Sequence, residues 1–239
     1  DSSLNRGSVS GAVSYRRDKL QNVLHSYAAT YYPWVTISDG ENDARVDVPP
    51  TVAMLGVFGN TAKNSEPWFA PAGFTRGGLS DGASGVTVTN VKDRLNKPER
   101  DELYENGINP IANFPKEGIV VFGQKTLQLK KSALDRINVR RLLIHLKREF
   151  KTITLDTLFE NGTSSVWEGF KQEAEELLAG VQDRLGLTDY KFVLDESTLT
   201  DDVIDQNMLY AKIFLKPARA IEFVALDFIL TSTGVEFPE

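Results

Sequence analysis

The chain has no cysteine and only two histidines, His25 and His145, among its 239 residues. Disulfide bonds, thiolate nucleophiles and cysteine-ligated zinc are therefore excluded. The histidines show no H-x-x-x-H spacing, so a zinc site would need carboxylate ligands from elsewhere in the chain. Because His145 follows a run of leucine and isoleucine, we interpret it as a packed or surface side chain and predict no metal site.

The sequence also lacks long apolar runs and an excess of basic charge. No run approaches the ~18 consecutive apolar residues of a transmembrane helix, and the start has no signal-peptide pattern. The formal net charge is −6, which argues against general nucleic-acid binding. We therefore expect neither a membrane nor a nucleic acid as a partner. The first residue is Asp1 rather than Met, and we expect the chain to be part of a longer protein.

Glycines are too sparse to form a nucleotide-binding loop. Gly56-x-x-Gly59 and the pair Gly77-Gly78 do not match the dinucleotide fingerprint, which needs three glycines after a strand. We interpret these four residues as turn glycines. No nucleophile stands beside a base, so we predict no catalytic residue and no cofactor.

An acidic cluster near the C-terminal end has two interpretations. Its members are Asp195, Glu196, Asp201, Asp202 and Asp205. They form either a paired-carboxylate or calcium site, or a solvated loop in which Thr200 or Asp201 begins a short helical turn. Because the spacing is not that of an EF-hand, we favour the loop.

Hydrophobic periodicity predicts helices and strands that alternate along the chain. The predicted helices span 16–31 and 98–105, the second with Pro98 near its first turn and Gly107 as its stop. Residues 52–58 read as a buried helix or a strand, and we favour the helix. Two longer helices begin after Ala133 and near Ser165, the latter with Glu168 in a capping box and Gly186 at its end. The predicted strands span 35–37, 45–48, 86–91, 119–122, 190–194, 209–215 and 221–231. Residues 60–90 otherwise read as a long loop whose aromatic side chains, among them Trp68, dock on the domain. Strands separated by helices predict an α/β fold, a mixed β-sheet layered with helices.

The helix predicted after Ala133 separates apolar from basic side chains. Its apolar stripe consists of Val139, Leu142, Leu143, Leu146 and Phe150. The basic residues, mostly on the other side, are Arg136, Arg140, Arg141, Lys147, Arg148 and Lys151. This pattern indicates either a solvated amphipathic helix or a docking surface for an acidic partner. A third interpretation is that Arg140 or Arg141 is buried in an ion pair with a carboxylate such as Asp135, Glu160 or Asp195.

Short motifs in a fixed order carry a resemblance to a known family. Between residues 113 and 142 they are an Asn-Phe-Pro-x-Glu-Gly loop, Phe-Gly, Thr-Leu and Ile-Asn-Val-Arg-Arg-Leu, at 113–118, 122–123, 126–127 and 137–142. Earlier motifs stand at 31–35, 48–50 and 67–73, and later ones at 158–160, 167, 195–196 and 216–218. Together they resemble the C-terminal core of contractile tail sheath proteins, from myovirus-type phages and related injection machines, over residues 27–230. The chain departs from the pattern at Lys116, where a second loop glycine is commoner.

The resemblance implies a structural subunit and not an enzyme. Subunits of this family form stacked hexameric rings around an inner tail tube, and contraction drives the tube through the target cell envelope. The implied partners are neighbouring sheath subunits, the inner tube, the baseplate and the tail terminator. The implied location is the virion tail, after assembly in the cytoplasm of an infected bacterium. We take the six basic residues of the predicted helix as candidates for the contact with the inner tube.

The resemblance also suggests a division of the chain. Residues 1–14 would be a flexible lead-in or arm, 15–232 the sheath core domain, and 233–239 a C-terminal arm or tail. In the family, such arms add strands to the sheet of a neighbouring subunit. Two alternatives remain open: a static shell or fibre component, and a carboxylate- or metal-dependent enzyme built on the acidic cluster.

Overall fold

The computed structural model describes residues 8–20, 25–40, 44–82 and 84–222. In these ranges the helices are α1 (Val9–Lys19), α2 (Pro50–Asn64), α3 (Gly73–Arg76), α4 (Lys97–Glu105), α5 (Ile137–Thr157), α6 (Ser164–Asp183) and α7 (Asp201–Asp205), with a 3-10 turn at Ala133–Asp135. The strands are β1 (Thr30–Tyr32), β2 (Val35–Asp39), β3 (Ala44–Val48), β4 (Val88–Val91), β5 (Ile108–Phe114), β6 (Gly118–Val121), β7 (Leu187–Val193) and β8 (Lys212–Pro217). None of the described helices is both long and apolar enough to cross a membrane.

The first six strands form two three-stranded sheets around one core. One sheet has the order β1-β5-β6, with β1 parallel to β5 and β5 antiparallel to β6; the other has the antiparallel order β3-β2-β4. Leu79 links them, because its N–H donates to Ile119 O at 2.9 Å and its carbonyl accepts from Val88 N at 3.0 Å. Helix α2 covers this core with Met54 and Val57, both fully buried. The predicted α/β fold, with mixed sheets and helices, is confirmed.

Helices α5 and α6 and the antiparallel β7–β8 hairpin enclose a second core. Leu142 of α5 packs there with Phe170 and Leu178 of α6. Trp68 joins this core from the segment before α3, and its Nε1 donates to Arg184 O at 3.0 Å. The prediction that aromatic residues of the 60–90 segment dock on the domain is confirmed for Trp68.

The first helix differs from its prediction. Residues 16–31 were expected to be helical, but α1 covers Val9–Lys19 and Thr30–Tyr32 form β1. The physical reason is the cap: Ser8 Oγ accepts from Gly11 N at 3.1 Å and starts the helix seven residues early. Helix α1 therefore crosses the boundary that we drew at residue 14, and the domain boundaries stay a prediction.

Turn glycines were predicted correctly at one place and wrongly at another. Gly107 ends α4 with a φ of 75°, as its position after that helix indicates. The pair Gly56 and Gly59, in contrast, lies inside α2 and not in turns. A Cβ at Gly56 would overlap the backbone carbonyl of Ser84, whereas nothing lies within 4 Å of a Cβ at Gly59. Gly56 thus allows α2 to lie close to the loop that contains Ser84.

The hairpin between β5 and β6 explains why Lys116 is tolerated. Residues 115–117 form the turn, and the residue in the left-handed region is Gly118, with a φ of 74°. Lys116 is not among the described residues with positive φ. A glycine at position 116 is therefore not required by the backbone.

Both ends of α6 differ from the prediction. The N-cap is Thr163, without a side-chain hydrogen bond, so the capping box of Ser165 and Glu168 is wrong. At the other end Leu185, not Gly186, takes the left-handed conformation, with a φ of 62°. Gly186 is needed for packing instead, because a Cβ there would meet the Trp68 ring at 3.0 Å.

Most predicted strands are present, with shifted ends. Strands β2, β3, β4, β6 and β7 overlap their predicted ranges, and the strand predicted over 209–215 is β8, Lys212–Pro217. Only 221 and 222 of the strand predicted over 221–231 are described, and they are not in a strand. The rest of that prediction, like the proposed tail at 233–239, lies outside the described residues.

Candidate docking surface

Helix α5 forms as its apolar period predicts. The 3-10 turn before it is capped by Ser132, whose Oγ accepts from Leu134 N at 3.1 Å. On α5, Val139, Leu142 and Leu146 are buried, while the other two stripe positions are half-buried. The predicted stripe is confirmed, and it fixes which basic residues face the protein and which face solvent.

Arg136 precedes the first turn of α5 and is held by two carboxylates. Its Nε and Nη2 donate to the two oxygens of Glu222 at 2.6 and 2.9 Å, and its Nη1 lies 3.1 Å from Asp135 Oδ1. Burial lowers the pKa of Arg136, but its hydrogen bonds to Glu222 and the nearby negative charges outweigh burial and hold the pKa above its ordinary value. This bidentate geometry makes Arg136 an internal cross-link to the segment after β8.

The Arg136–Glu222 pair also affects the pKa values of two neighbouring polar side chains. Burial, together with the Glu222 charge and hydrogen bond, raises the pKa of Tyr104. Burial and the Arg136 charge lower the pKa of Lys125. Lys125 Nζ nevertheless donates to Tyr104 O at 2.6 Å and lies 4.2 Å from the centre of the Tyr104 ring. These groups are thus held in place by their mutual contacts.

Arg140 and Arg141 also point inwards. Arg140 is 8% exposed, donates from Nη2 to Ser26 Oγ, and has its Cζ 4.0 Å from the centre of the Tyr27 ring. Arg141 is half-buried, donates from Nη2 to Phe58 O at 3.0 Å, and lies 5.1 Å from the centre of the Phe58 ring. The expectation that Arg140 lies on the solvent side of the helix is therefore wrong, because the loop before β1 folds over it.

Only the later basic residues of α5 face solvent. Lys147, Arg148 and Lys151 are exposed, and Arg148 donates to Glu149 at 3.0 Å. Of the six candidate residues, three are thus internal and three lie on one exposed surface. The contact with an inner tube stays a prediction, and we call Lys147, Arg148 and Lys151 the basic patch.

The other candidates for chemistry have structural surroundings. The centres of the His145 and Trp68 rings lie 5.2 Å apart. Burial lowers the pKa of His145, although the negative charge of Glu149 acts in the opposite direction. Asp195 accepts from Ser197 N at 2.9 Å in a turn before α7, and Thr200 is the N-cap of α7. Among the described residues no three His, Asp or Glu side chains converge as metal ligands. The acidic cluster therefore has the turn geometry of the loop interpretation.

Sequence analysis missed one buried polar residue at the centre of the fold. Asn109 of β5 is fully buried; its Nδ2 donates to Thr30 O at 3.1 Å and Lys125 O at 2.8 Å, and its Oδ1 accepts from Lys125 N at 2.6 Å. Gly123 permits this arrangement, since a Cβ there would lie 2.9 Å from Asn109 Oδ1 and 3.0 Å from the Tyr104 ring. A polar residue inside an apolar strand was the signal that could have identified Asn109.

Comparisons with known proteins agree over nearly the whole chain. The family described as the phage tail sheath protein central domain matches residues 4–127. The tail sheath protein of Vibrio phage KVP40 is 37% identical over 218 residues, 91% of this chain and 32% of that protein. The tail sheath protein of Enterobacteria phage T4 is 32% identical over 222 residues, 93% of this chain and 33% of that protein. The chain thus spans about a third of the length of these relatives.

Solved structures show the same fold. A chain of the PVC sheath complex of an extracellular contractile injection system, in its contracted state, superposes with a TM-score of 0.81 at 25% identity, over 95% of this chain and 62% of that chain. A chain of the helical sheath of the anti-feeding prophage, also contracted, superposes with a TM-score of 0.71 at 26% identity, over 84% of this chain and 55% of that chain.

Proposed function

Because the chain belongs to the phage tail sheath protein family, we propose that it is a subunit of a contractile tail sheath. The subunits assemble as stacked hexameric rings around an inner tail tube, and contraction of the stack drives the tube through the target cell envelope. The observation that carries the proposal is the match of 95% of the chain to a sheath subunit in the contracted state. The role is structural: the residues mechanically couple neighbours and perform no chemistry.

The energy for contraction is placed in the lattice at assembly. The extended sheath is a metastable arrangement, and release at the baseplate lets the rings rotate, widen and approach one another without nucleotide hydrolysis. Such a transition needs links that hold while subunits pivot. The β7–β8 hairpin supports this role, because in the described part of the chain each of its strands pairs only with the other. Its two edges offer backbone groups to arms of neighbouring subunits.

The basic patch is the surface that we assign to the inner tube. Three cations exposed on the second half of α5, with the apolar stripe buried beneath them, support contact with an acidic tube. Each contact is weak and screened by salt. Repetition around every ring multiplies the weak contacts into stable capture. The assembled location is the virion tail, with assembly in the bacterial cytoplasm and further contacts to the baseplate and tail terminator.

Electron microscopy tests the assembly. The sheath polypeptide that carries this chain is produced together with its tube protein, and we expect regular tubes with six-fold rings that exist in a long and a short form. Tubes that never change length would favour a static shell. Absence of polymer while bare inner tubes form would contradict the proposal.

Charge reversal tests the tube contact. Lys147→Glu with Lys151→Glu should leave the circular dichroism spectrum unchanged and weaken co-sedimentation with inner tubes. The difference from the parent should be largest at low salt and shrink as salt screens the parent's own contact. Lys130→Glu with Lys131→Glu, two exposed lysines before α5, changes the net charge equally and is the matched control. Equal capture by the two double variants would place the tube contact elsewhere.

A further inference from the structure

A cavity of about 320 Å³ lies where the segment before β1, helix α2 and the first turns of α5 meet. We call it the docking cavity. Its walls are largely apolar and include Met54, Phe58 and Ile144. Leu55 stands at its rim with 68% of its surface exposed, and Ile144 is 48% exposed. Apolar groups left open to water in this way indicate a surface that another group covers.

Two cations of the docking cavity have no counter-ion within the part of the chain that the structure describes. Arg140 and Arg141 both line the cavity, and none of the described residues that line it is acidic. Arg140 Nε, Arg141 Nη1 and the Tyr31 hydroxyl are buried and have no hydrogen-bond partner among the described residues. Burial lowers the pKa of Arg141, with only Tyr31 opposing it. Unpaired buried donors beside a half-buried positive charge favour an incoming carboxylate.

The opposite end of α5 carries a group of complementary chemistry. Phe159, in the loop between α5 and α6, is fully exposed and has a φ of 70°. Such a conformation is strained for a bulky side chain. Leu158 beside it is 52% exposed, and Glu160 is exposed with no ion pair among the described residues. We call residues 158–160 the Phe159 loop; it presents an apolar side chain followed by a carboxylate.

The Phe159 loop cannot reach the docking cavity of its own chain. Arg141 and Thr157 lie on the same continuous helix, and 16 residues at 1.5 Å each separate them by about 24 Å. The loop therefore meets such a cavity only on a different molecule.

We propose that the Phe159 loop of one copy docks in the docking cavity of the next copy, with Phe159 in the apolar part and Glu160 paired with Arg140 and Arg141. The contact is head-to-tail, and a contact of this kind generates rings or helical filaments and not closed dimers. It goes beyond the function proposed above, because it names a self-association site that requires neither strand exchange nor the inner tube.

Photo-crosslinking tests the contact without requiring a stable complex. Phe159→p-benzoylphenylalanine is introduced into the 239-residue chain, which is irradiated and digested. We expect crosslinked dimers and larger multimers whose adducts map to residues 50–58 or 137–144 of a second copy. Adducts that map elsewhere, or that occur only within one chain, overturn the proposal.

Matched variants separate the contact from nonspecific proximity. Leu55→Asp at the rim, or Glu160→Arg in the loop, should lower the crosslinked fraction by roughly fivefold or more, because each places like charges together. Leu129→Asp is the control, since Leu129 is 61% exposed and lies outside the docking cavity. A fall of equal size with Leu129→Asp contradicts the assignment.

A mixture tests the head-to-tail geometry. The probe-bearing chain with Leu55→Asp keeps a loop but no functional cavity, and a Phe159→Ser chain keeps a cavity but no loop. The probe-bearing chain alone should give only the reduced crosslinking of the Leu55→Asp variant, and the mixture should add dimers that contain one chain of each kind. A mixture with no more dimer than the probe-bearing chain alone, or with larger multimers above that background, overturns the geometry.

The self-contact and the sheath function can fail separately. Adducts outside the docking cavity together with normal tubes in the electron microscope would contradict only the proposed self-contact. Adducts inside the cavity without any tubes would contradict the proposed sheath function and support the self-contact.

Discussion

Asn109 shows how a single buried polar side chain can hold three parts of a fold together. Its amide joins the backbone of β1, the strand that it belongs to and the segment after β6, with all of its bonds shielded from water. Removing such a side chain leaves backbone groups buried without partners, which costs more than the loss of an exposed hydrogen bond.

We predict that Asn109→Ala lowers the free energy of unfolding by about 2–4 kcal/mol, because three backbone contacts lose their partner. Asn90→Ala is the control, since Asn90 is exposed on β4, and it should stay within about 0.5 kcal/mol. Urea unfolding followed by circular dichroism measures both. Similar values for the two variants would mean that water replaces the amide without cost.

His145 makes stability depend on pH. Burial against Trp68 lowers its pKa in the folded protein, so the folded state binds fewer protons than the unfolded chain, whose histidine titrates near about 6.5. Stability from neutral His145 is therefore present above that value and is lost as the pH falls. We expect His145→Gln to show a smaller loss of unfolding free energy from about pH 7 to about pH 5 than the parent chain. A His145→Gln curve identical to the parent would refute the assignment.

At the scale of elements, α2 contains two glycines that differ in whether a side chain would fit at their position. Gly56 faces the Ser84 backbone and has no room for a side chain, while Gly59 is exposed and open. Glycine in a helix interior lowers the stability of the fold, because it loses more conformational entropy on folding than alanine does. It is required only where close packing leaves no room for a side chain.

We predict that Gly59→Ala raises the free energy of unfolding by about 0.5–1 kcal/mol, through the better helix propensity of alanine. Gly56→Ala should lower it by about 1–3 kcal/mol or more, because the added methyl forces α2 away from the loop. Thermal unfolding of the two variants side by side measures the difference. A stabilised Gly56→Ala chain would show that α2 does not approach Ser84 closely.

Elements with a strong period or cap were predictable from the sequence, and those set by distant contacts were not. Helix α5 was predicted because its apolar period persists, and α4 because Pro98 opens it and Gly107 ends it. Helix α1 was misplaced because the cap from Ser8 outweighs the apolar spacing that follows. The stop of α6 was misassigned because the left-handed residue is Leu185, while Gly186 is crowded by Val181 and by Trp68, and the contact with Trp68, 118 residues earlier in the chain, has no local signature.

The basic surface was predictable only in part, for a related reason. Helical spacing placed the apolar stripe correctly and showed that basic residues accompany it. It could not show that Ser26 and Tyr27 cover Arg140, since that contact depends on the chain folding back over α5. Burial of a cation by a loop far away in sequence is a tertiary effect, and helical period carries no information about it.

At the scale of the molecule, Trp68 anchors the segment between α2 and α3 to the α5–α6 core. It packs in that core and lies against Arg184, and α3 begins five residues later at Gly73. Arg184 also reaches back to Glu66 at 3.1 Å. Unfolding of the α5–α6 core therefore disturbs the segment that follows α2.

We predict a single cooperative unfolding transition, with coincident midpoints by circular dichroism and tryptophan fluorescence. Trp68→Ala should lower the free energy of unfolding by about 3–5 kcal/mol, as for a buried aromatic residue. Two separated transitions in the parent chain would show that the cores unfold independently of Trp68. The partly exposed Trp167 is the control, and Trp167→Ala should cost less.

The parallel pairing of β1 with β5 delays folding of the first strand during synthesis. Thr30 pairs with Ile108, so at 5–20 residues per second β1 waits roughly 4–16 s on the ribosome for its partner. Arg140 and Arg141 emerge later still, and without them the docking cavity has no cations. A nascent subunit thus has no complete cavity while its first strands fold. Newly made subunits therefore cannot join a neighbour through this cavity until most of the domain has left the ribosome.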